Sequence, residues 1–453
     1  MNHSLPIRNP RPRGGMVAKA AAFAPCLAAL LALAAGTASA EPWTLDRVLD
    51  RARQVDPSIT AARAGGDLGR AQASQMWAML SPHLTASSGF TRTDDPAVLF
   101  SQKLWQGRFG MADFAIPSLN QPDAQSAIQY NLTLDQPLFN GGRELTAPFV
   151  SSHYRKAATA MEQAQVATRL IAVVESYVQA LQAREGLKAA ELSLSAASTM
   201  RAAAVERWRM GQVPELDTLR AAAREAQARV GAIGARRGLA VAVAHLSKIV
   251  KTELSADDLV VPAPDAFAPV PERAGAARAE LTAAREAAKA TGSEAVTTGL
   301  RLLPSLNSRF AVSNYKPWSG GEYERRWMVA VMAELPLFDG AQRFNEWRAA
   351  RAKATQARAT AEALERDMAT GLAAARVEDA VARERADAAR AGRAAAEEAV
   401  RLSALRYRAG LLPLSELLAA DAEASGARAS EVDASGAVIL AHYRLLHAMG
   451  DLR

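Results

Sequence analysis

The chain has 453 residues, with 54 Lys+Arg against 47 Asp+Glu and a formal net charge of +7. Hydrophobic residues make up 49% and charged ones 22%, which excludes a wholly disordered chain. A mean hydropathy of -0.07, with no mid-chain run of about 18 apolar residues, excludes a polytopic helical membrane protein.

From the N-terminus, residues 1–40 read as a secretory signal peptide. Arg8, Arg11, Arg13 and Lys19 form a basic start without acids. Ala20 to Ala35 is apolar, and Ala38-Ser39-Ala40 is an A-x-A cleavage site. Met16 offers an alternative start that leaves a signal of more usual length. Beyond the signal the balance falls to 50 basic against 47 acidic residues, so nucleic acid is not an expected partner. Cys26, the one cysteine, lies inside the signal, and Phe23-Ala24-Pro25 ahead of it is not a lipobox. The mature chain then has no disulfide and no Cys-based metal site.

The remainder contains itself twice. Gln136-Pro137-Leu138-Phe139-Asn140-Gly141 recurs as Leu335-Pro336-Leu337-Phe338-Asp339-Gly340, with Pro137 and Pro336 standing 199 residues apart. Arg207-Trp208-Arg209-Met210-Gly211-Gln212-Val213-Pro214 recurs as Arg406-Tyr407-Arg408-Ala409-Gly410-Leu411-Leu412-Pro413, again 199 apart. Two motifs at one offset imply a duplication. Residues 41–250 form a first repeat and 273–453 a second. The proline-rich stretch 251–272 (Pro262, Pro264, Pro269, Pro271) is a linker or equatorial segment.

Each repeat follows the same order. A helix is expected first, over Leu45–Met79 and Arg273–Leu302. Two strands follow, Leu84–Thr91 and Ser126–Leu138 in one copy, Leu306–Tyr315 and Trp327–Leu337 in the other. Tyr130-Asn131-Leu132-Thr133-Leu134-Asp135 alternates in polarity with the period of a strand. The first copy carries an insert from Asp94 to Pro122, rich in Gly, Pro, Asn and Asp and including Phe100, Trp105, Phe109 and Phe114. Its composition predicts an irregular surface loop or partial lid. At Pro137, Phe139 and Gly141, and again at Pro336, Phe338 and Gly340, the chain is expected to turn from strand into helix. Very long helices follow, Arg143–Met210 and Ala341–Ala409, each spanning roughly 100 Å at 1.5 Å per residue. Gly211-Gln212-Val213-Pro214 and Gly410-Leu411-Leu412-Pro413 break them, Gly suiting a C′ position and Pro the first turn of the next helix. Return helices, Glu215 to about Val250 and Leu414 to about Met449, complete two helical hairpins. Val166, Leu170, Val173, Val174, Tyr177, Val178 and Leu181 make one apolar stripe on the first long helix, suited to side-by-side coiled-coil packing.

Four amphipathic strands in an exported chain cannot close a membrane barrel, which needs about eight, and an open sheet in lipid leaves its edges unpaired. The chain must then oligomerise. In this layout the sequence resembles the TolC family of outer-membrane efflux proteins. Gln136-Pro137-Leu138-Phe139-Asn140-Gly141-Gly142-Arg143, Pro336-Leu337-Phe338-Asp339-Gly340, Arg406-Tyr407-Arg408-Ala409-Gly410 and Tyr443-Arg444-Leu445-Leu446-His447-Ala448-Met449-Gly450 carry the resemblance, which covers Leu45 to Leu452.

The resemblance implies an α+β membrane protein, a homotrimer whose twelve-stranded β-barrel sits in outer-membrane lipid and continues into a periplasmic α-helical barrel. It implies a passive channel for tripartite efflux or type I secretion, joined through a periplasmic adaptor (membrane fusion) protein to an inner-membrane pump of RND, ABC or MFS type. Gly211, Gln212, Val213, Pro214, Gly410, Leu411, Leu412 and Pro413 would be the adaptor-docking tips. By position, Asp217, Tyr407 and Glu416 would form the gate. A second family acid falls on Ala419, and the arginine of the closing network on Leu412, so part of that network is absent. Asp217 and Glu416 are also the acids that a helix start favours through its dipole.

No H-E-x-x-H, Walker, G-x-S-x-G or C-x-x-C pattern occurs, and His442 and His447 do not share a helix face, so neither enzyme chemistry, a metal site nor a cofactor is expected. The other reading is a periplasmic coiled-coil interaction or adaptor protein. An adaptor would show one hairpin flanked by β-rich halves, whereas here two hairpins stand in register.

Overall fold

A computed structural model describes residues 42–78, 80–262, 267, 270, 278–320 and 324–452. The signal-peptide assignment and much of the linker lie outside the described residues.

Pro57 divides the first expected helix. Asp56, directly before it, is extended at φ -69 and ψ 121, because a residue preceding proline is pushed out of the α region. The single helix expected over Leu45–Met79 is therefore two, α1 (Leu45–Val55) and α2 (Pro57–Ala78). Strand β1 (His83–Thr93) follows. The insert is helical rather than irregular: α3 (Pro96–Trp105), a 3-10 turn at Met111–Phe114 and α4 (Ile116–Asn120). Asp95 starts α3 by accepting from the backbone N–H groups of Ala97 and Val98, with Pro96 in the first turn; turn-like residues served here as caps. Phe100, Phe109 and Phe114 pack edge to face at 4.6 and 5.1 Å.

Strand β2 (Gln125–Asn140) leads into α5 (Arg143–Arg209), and α6 (Glu215–Val250) returns. The second repeat runs α7 (Ala279–Leu300), β3 (Ser305–Pro317), β4 (Glu324–Glu334), α8 (Gln342–Arg408) and α9 (Leu414–Met449). α7 begins at Ala279, within the helix expected over Arg273–Leu302, whose residues 273–277 lie outside the described residues. β4 ends at Glu334, three residues short of the expected Leu337, because β3 supplies no partner beyond Ser305. α5 and α8 are 67 residues each, and α6 and α9 are 36 each.

Among the described residues the strands form one antiparallel sheet in the order β1-β2-β3-β4. Its register gathers the apolar positions on one face. Leu132 lies opposite Ala86 and Val312, Leu134 opposite Leu84 and Phe310, and these in turn meet Trp327 and Val329. The other face carries Asn131, Thr133 and Asp135, with Arg309 donating to Asp135 at 2.6 Å. Trp105 of the insert rests 5.0 Å from Tyr315 on this polar face, and Arg326 donates to its carbonyl. β1 and β4 are open edges, and the side chains of β1 are exposed on both faces down to Arg92.

The helices form an open layer. Near the sheet it runs α2, α5, α7, α8; toward the tips it runs α6, α5, α9, α8. The main core sits where α1, the start of α2, α5 and α6 meet, with Val48, Ile59, Leu170, Val173, Val174 and Leu246 fully buried. Tyr177 donates from its hydroxyl to the Trp43 and Val260 carbonyls at 2.8 and 2.5 Å. Burial pushes its phenol up to about 12. Among the described residues no helix is long and apolar enough to cross a membrane.

Candidate functional site

The two hairpin tips are built alike. Gly211 and Gly410 take left-handed φ values of +70 and +75, which closes each long helix. The Gly211 N–H donates to the Trp208 carbonyl and the Gln212 N–H to that of Arg207; Gly410 and Leu411 repeat this with Tyr407 and Arg406. This is a Schellman closure at both ends. Pro214 and Pro413 are extended N-caps at ψ 156 and 153, one residue ahead of the helix rather than in its first turn as expected. Gly211, Gln212 and Pro214 are exposed and Val213 half-buried; Gly410, Leu411 and Pro413 are exposed and Leu412 half-buried.

Behind the tips lies a second core of Met200, Ala204, Ala221, Tyr407, Leu414 and Leu417. Tyr407, on α8, is buried, and its hydroxyl finds no hydrogen-bond partner among the described residues. No hydrogen bond therefore joins it to Asp217. Instead the Arg207 guanidinium lies 4.7 Å from the Tyr407 ring centroid and donates to the Tyr407 carbonyl. Burial raises the Tyr407 phenol above its usual range, the charge of Arg207 opposes this and that of Asp217 adds to it. Asp217 is half-buried in the first turn of α6, and Glu416 is exposed in the first turn of α9. The three residues come from both hairpins and sit at one end of the molecule.

Two side chains not singled out in the sequence join them. Arg224 on α6 donates to Asp421 on α9 from Nε and Nη2 at 2.9 and 2.6 Å. A sequence signal existed: Leu414, Leu417, Asp421 and Ala424 are the buried stripe of α9 at helical spacing, with an acid in an apolar row.

At the other end of the long helices the two Pro-Leu-Phe motifs differ. β2 runs on through Pro137, with a bulge between Pro137 and Phe139, and Asn140 still pairs with Ser305. Gly141 and Gly142 follow at φ +62 and +82. A Cβ on Gly141 would stand 2.6 Å from the Leu300 carbonyl oxygen, so only glycine fits. In the second copy Pro336 lies outside any strand, Leu337 and Phe338 are each 90% exposed, and Gly340 (φ +64) has open space around it.

The His442 ring packs 5.4 Å from Phe267, whereas His447 lies beside Arg278 and Glu280. Among the described residues no cluster of three or more potential ligands could hold a metal ion.

The sequence profile of outer membrane efflux proteins matches residues 48–250 and 270–451. Among curated proteins, none matches the chain. Solved structures share its fold. The outer membrane protein VceC from Vibrio cholerae matches with a TM-score of 0.71 and 17% identity, over 90% of this chain and 96% of that one. The CmeC outer membrane channel of Campylobacter jejuni matches with a TM-score of 0.72 and 16% identity, over 90% and 85%. The open-state MtrE outer membrane channel of Neisseria gonorrhoeae gives 0.71 and 19%, over 90% and 89%.

Proposed function

The chain belongs to the outer membrane efflux protein family, and from that premise we propose how its residues gate and dock a passive export channel. Channels of this family are trimeric, sit in the Gram-negative outer membrane, extend into the periplasm and work with adaptor and pump proteins. The observation that carries the reading for this chain is the sheet. One face is apolar, one is polar and both edges are open, so a protomer alone cannot lie in lipid. Three copies supply twelve strands, pair every edge and turn the apolar face to lipid and the polar face to a water-filled lumen. The helical layers continue that lumen into the periplasm.

The gate is then the cluster behind the tips. Tyr407 closes the apolar seam between the hairpins, Arg207 holds it, and Asp217 and Glu416 place negative charge beside it. The exposed turns Gly211–Pro214 and Gly410–Pro413 are the docking surface for the adaptor, and the pump behind it is of RND, ABC or MFS type. Opening is a splaying of one hairpin from the other, with no chemical step. Gating is tested on the purified full-length trimer in planar lipid bilayers. Tyr407→Ala should raise the resting current severalfold while light scattering still gives a trimer. An unchanged current in an intact trimer would remove Tyr407 from the gate.

A further inference from the structure

The two faces of the sheet treat their arginines differently. On the polar face Arg309 pairs with Asp135, and Arg326 donates to the carbonyls of Leu104 and Trp105. On the apolar face Arg92 and Arg325 are exposed, and among the described residues no acid lies within ion-pair distance of either. Lys316 stands on the same face, half-buried. Strand alternation groups these three cations with Leu84, Phe90, Leu132, Val312 and Val329. Among the described strands, no residue on that face is acidic.

The three cations do not share a register. Arg92 lies opposite Ser126, Lys316 opposite Ile128 and Arg325 opposite Asn314. They share a rim instead, because the strands are staggered. β1 ends at Thr93, β3 ends at Pro317 and β4 begins at Glu324, so each cation is one residue from the end of its strand. This end is remote from the helices, since α2 feeds β1 and β2 feeds α5 at the opposite one. With the helices in the periplasm, the rim faces the exterior. From Leu84 to Arg92 the strand rises about 27 Å at ~3.4 Å per residue, or about 20 Å in height at a tilt of ~40°, close to the ~25 Å apolar band of membrane barrels. Exposed Phe90, Trp318 and Trp327 lie beside the cations, with Phe90 and Trp318 edge to face at 5.1 Å. Such rings collect at the headgroup level. The inner end of the same face carries Leu84, Leu134 and Val331.

We propose that Arg92, Lys316 and Arg325 form a rim that binds the phosphate groups of the glycolipid in the outer leaflet of the membrane. The proposal rests on the reading of the apolar sheet face as the lipid-facing wall of a trimeric barrel. A cation at the edge of hydrocarbon is costly unless water or an anion meets it. A phosphate meets a guanidinium with two parallel N–H···O bonds, which a point charge or a neutral headgroup does not match. The polar-face arginines have their acceptors within the chain, whereas the rim arginines are left for a partner outside it. Their position at the outer end alone selects the outer leaflet. In the trimer the rim is repeated three times, so phosphates are met all round the barrel.

The test titrates diphosphoryl lipid A into the purified, delipidated full-length trimer in detergent and counts bound lipid by native mass spectrometry. Arg92→Gln and Arg325→Gln should each weaken binding about fivefold, and both together with Lys316→Gln about a hundredfold, with the trimer mass unchanged. Arg309→Gln and Arg326→Gln remove the same charge from the polar face and should leave binding as in the wild type. Phosphatidylglycerol should compete at least about tenfold more weakly than lipid A. Rim variants that bind lipid A like the wild type would overturn the proposal. So would an equal loss in the polar-face variants, which would mark net charge alone, or equal competition by phosphatidylglycerol, which would mark any anionic lipid. If the triple variant does not assemble, the two single arginine variants decide. The face itself is checked separately: Val329→Cys, labelled with bimane and placed in nanodiscs of brominated phospholipid, should be quenched. Quenching, together with unaltered lipid A binding in the rim variants, removes the rim and leaves the barrel standing. Absence of quenching removes the barrel reading and the rim with it.

Discussion

α5 and α8 have the same length, start 199 residues apart and come from the same duplicated segment, yet one lies in the core and the other at an edge. α5 packs along α2, α6, α7 and α9, and buries Leu170, Val173, Val174, Tyr177, Val178 and Leu181. α8 packs along α7 and α9, and apart from Asp379 and Tyr407 its buried residues are alanines. At the positions matching Leu170, Tyr177 and Leu181 it carries Ala369, Arg376 and Ala380. The duplication preserved helix length and caps but not the apolar stripe. The first copy stabilises the protomer, whereas the second is free to face another chain. Val178 and Val377 show this directly: they occupy matching positions, one 3% exposed and the other 63%.

The sharpest way to break the comparison is to place the same charge at both positions. Val178→Glu buries an unpaired carboxylate and should cost several kcal/mol, about 3–5, enough to abolish cooperative folding by circular dichroism. Val377→Glu should leave helicity intact but reduce the light-scattering mass from trimer toward monomer. If Val377→Glu stays trimeric, α8 is not the subunit seam. A smaller effect is expected at Tyr177. Tyr177→Phe leaves the Val260 carbonyl without its hydroxyl donor, while the Trp43 carbonyl keeps the Val260 N–H, and should cost about 1–3 kcal/mol by denaturant titration in detergent.

The two strand-to-helix junctions sharpen the contrast further. Gly142 and Ala341 both hold left-handed φ, +82 and +66, at the same N-cap position. Gly142→Ala should destabilise by about 1 kcal/mol or more, since Leu300 Cδ1 also stands 3.2 Å from the new Cβ. Ala341→Gly should stabilise by a few tenths up to about 1 kcal/mol. Thermal midpoints that move in the same direction for both would refute the claim of strain at Ala341. The smallest effect is on pH. Arg428, followed by Arg393, holds Glu397 below its ordinary value of 4.5. A depressed carboxylate contributes stability that is present above 4.5 and lost as pH falls through its folded value. Amide protection factors in α8 and α9, which correct for the intrinsic slowing of exchange in acid, should therefore drop as pH falls below 4.5, and Glu397→Gln should remove that dependence.

Much of this was legible in local residues. The tip closures follow from Gly211 and Gly410, which need only their own backbone conformation. The strands follow from alternation at Tyr130–Asp135, and the offset of 199 predicted that both hairpins would match. The break at Pro57 was also local and was missed, as were the helices of the insert, because Asp95-Pro96 reads equally as a turn and as a helix start. For the candidate gate, Tyr407, Asp217 and Glu416 were expected by position, and the contacts of Arg207, Arg224 and Asp421 were not.

What the sequence determined by itself was the set of parts: two repeats, their strands, their long hairpins and the family to which they belong. These depend on periodicity and on residues within a few positions of one another. Which apolar stripe is core and which is edge, why Phe139 lies in a bulged strand and Phe338 in the open, and which arginine meets Asp421 were decided only by the tertiary structure. Phe139 pairs with Leu306 and Asp421 with Arg224, partners about 170 to 200 residues away in the chain. An α-helix or a strand offers the same side chains whatever lies beside it, so only the packing reveals which of them are used.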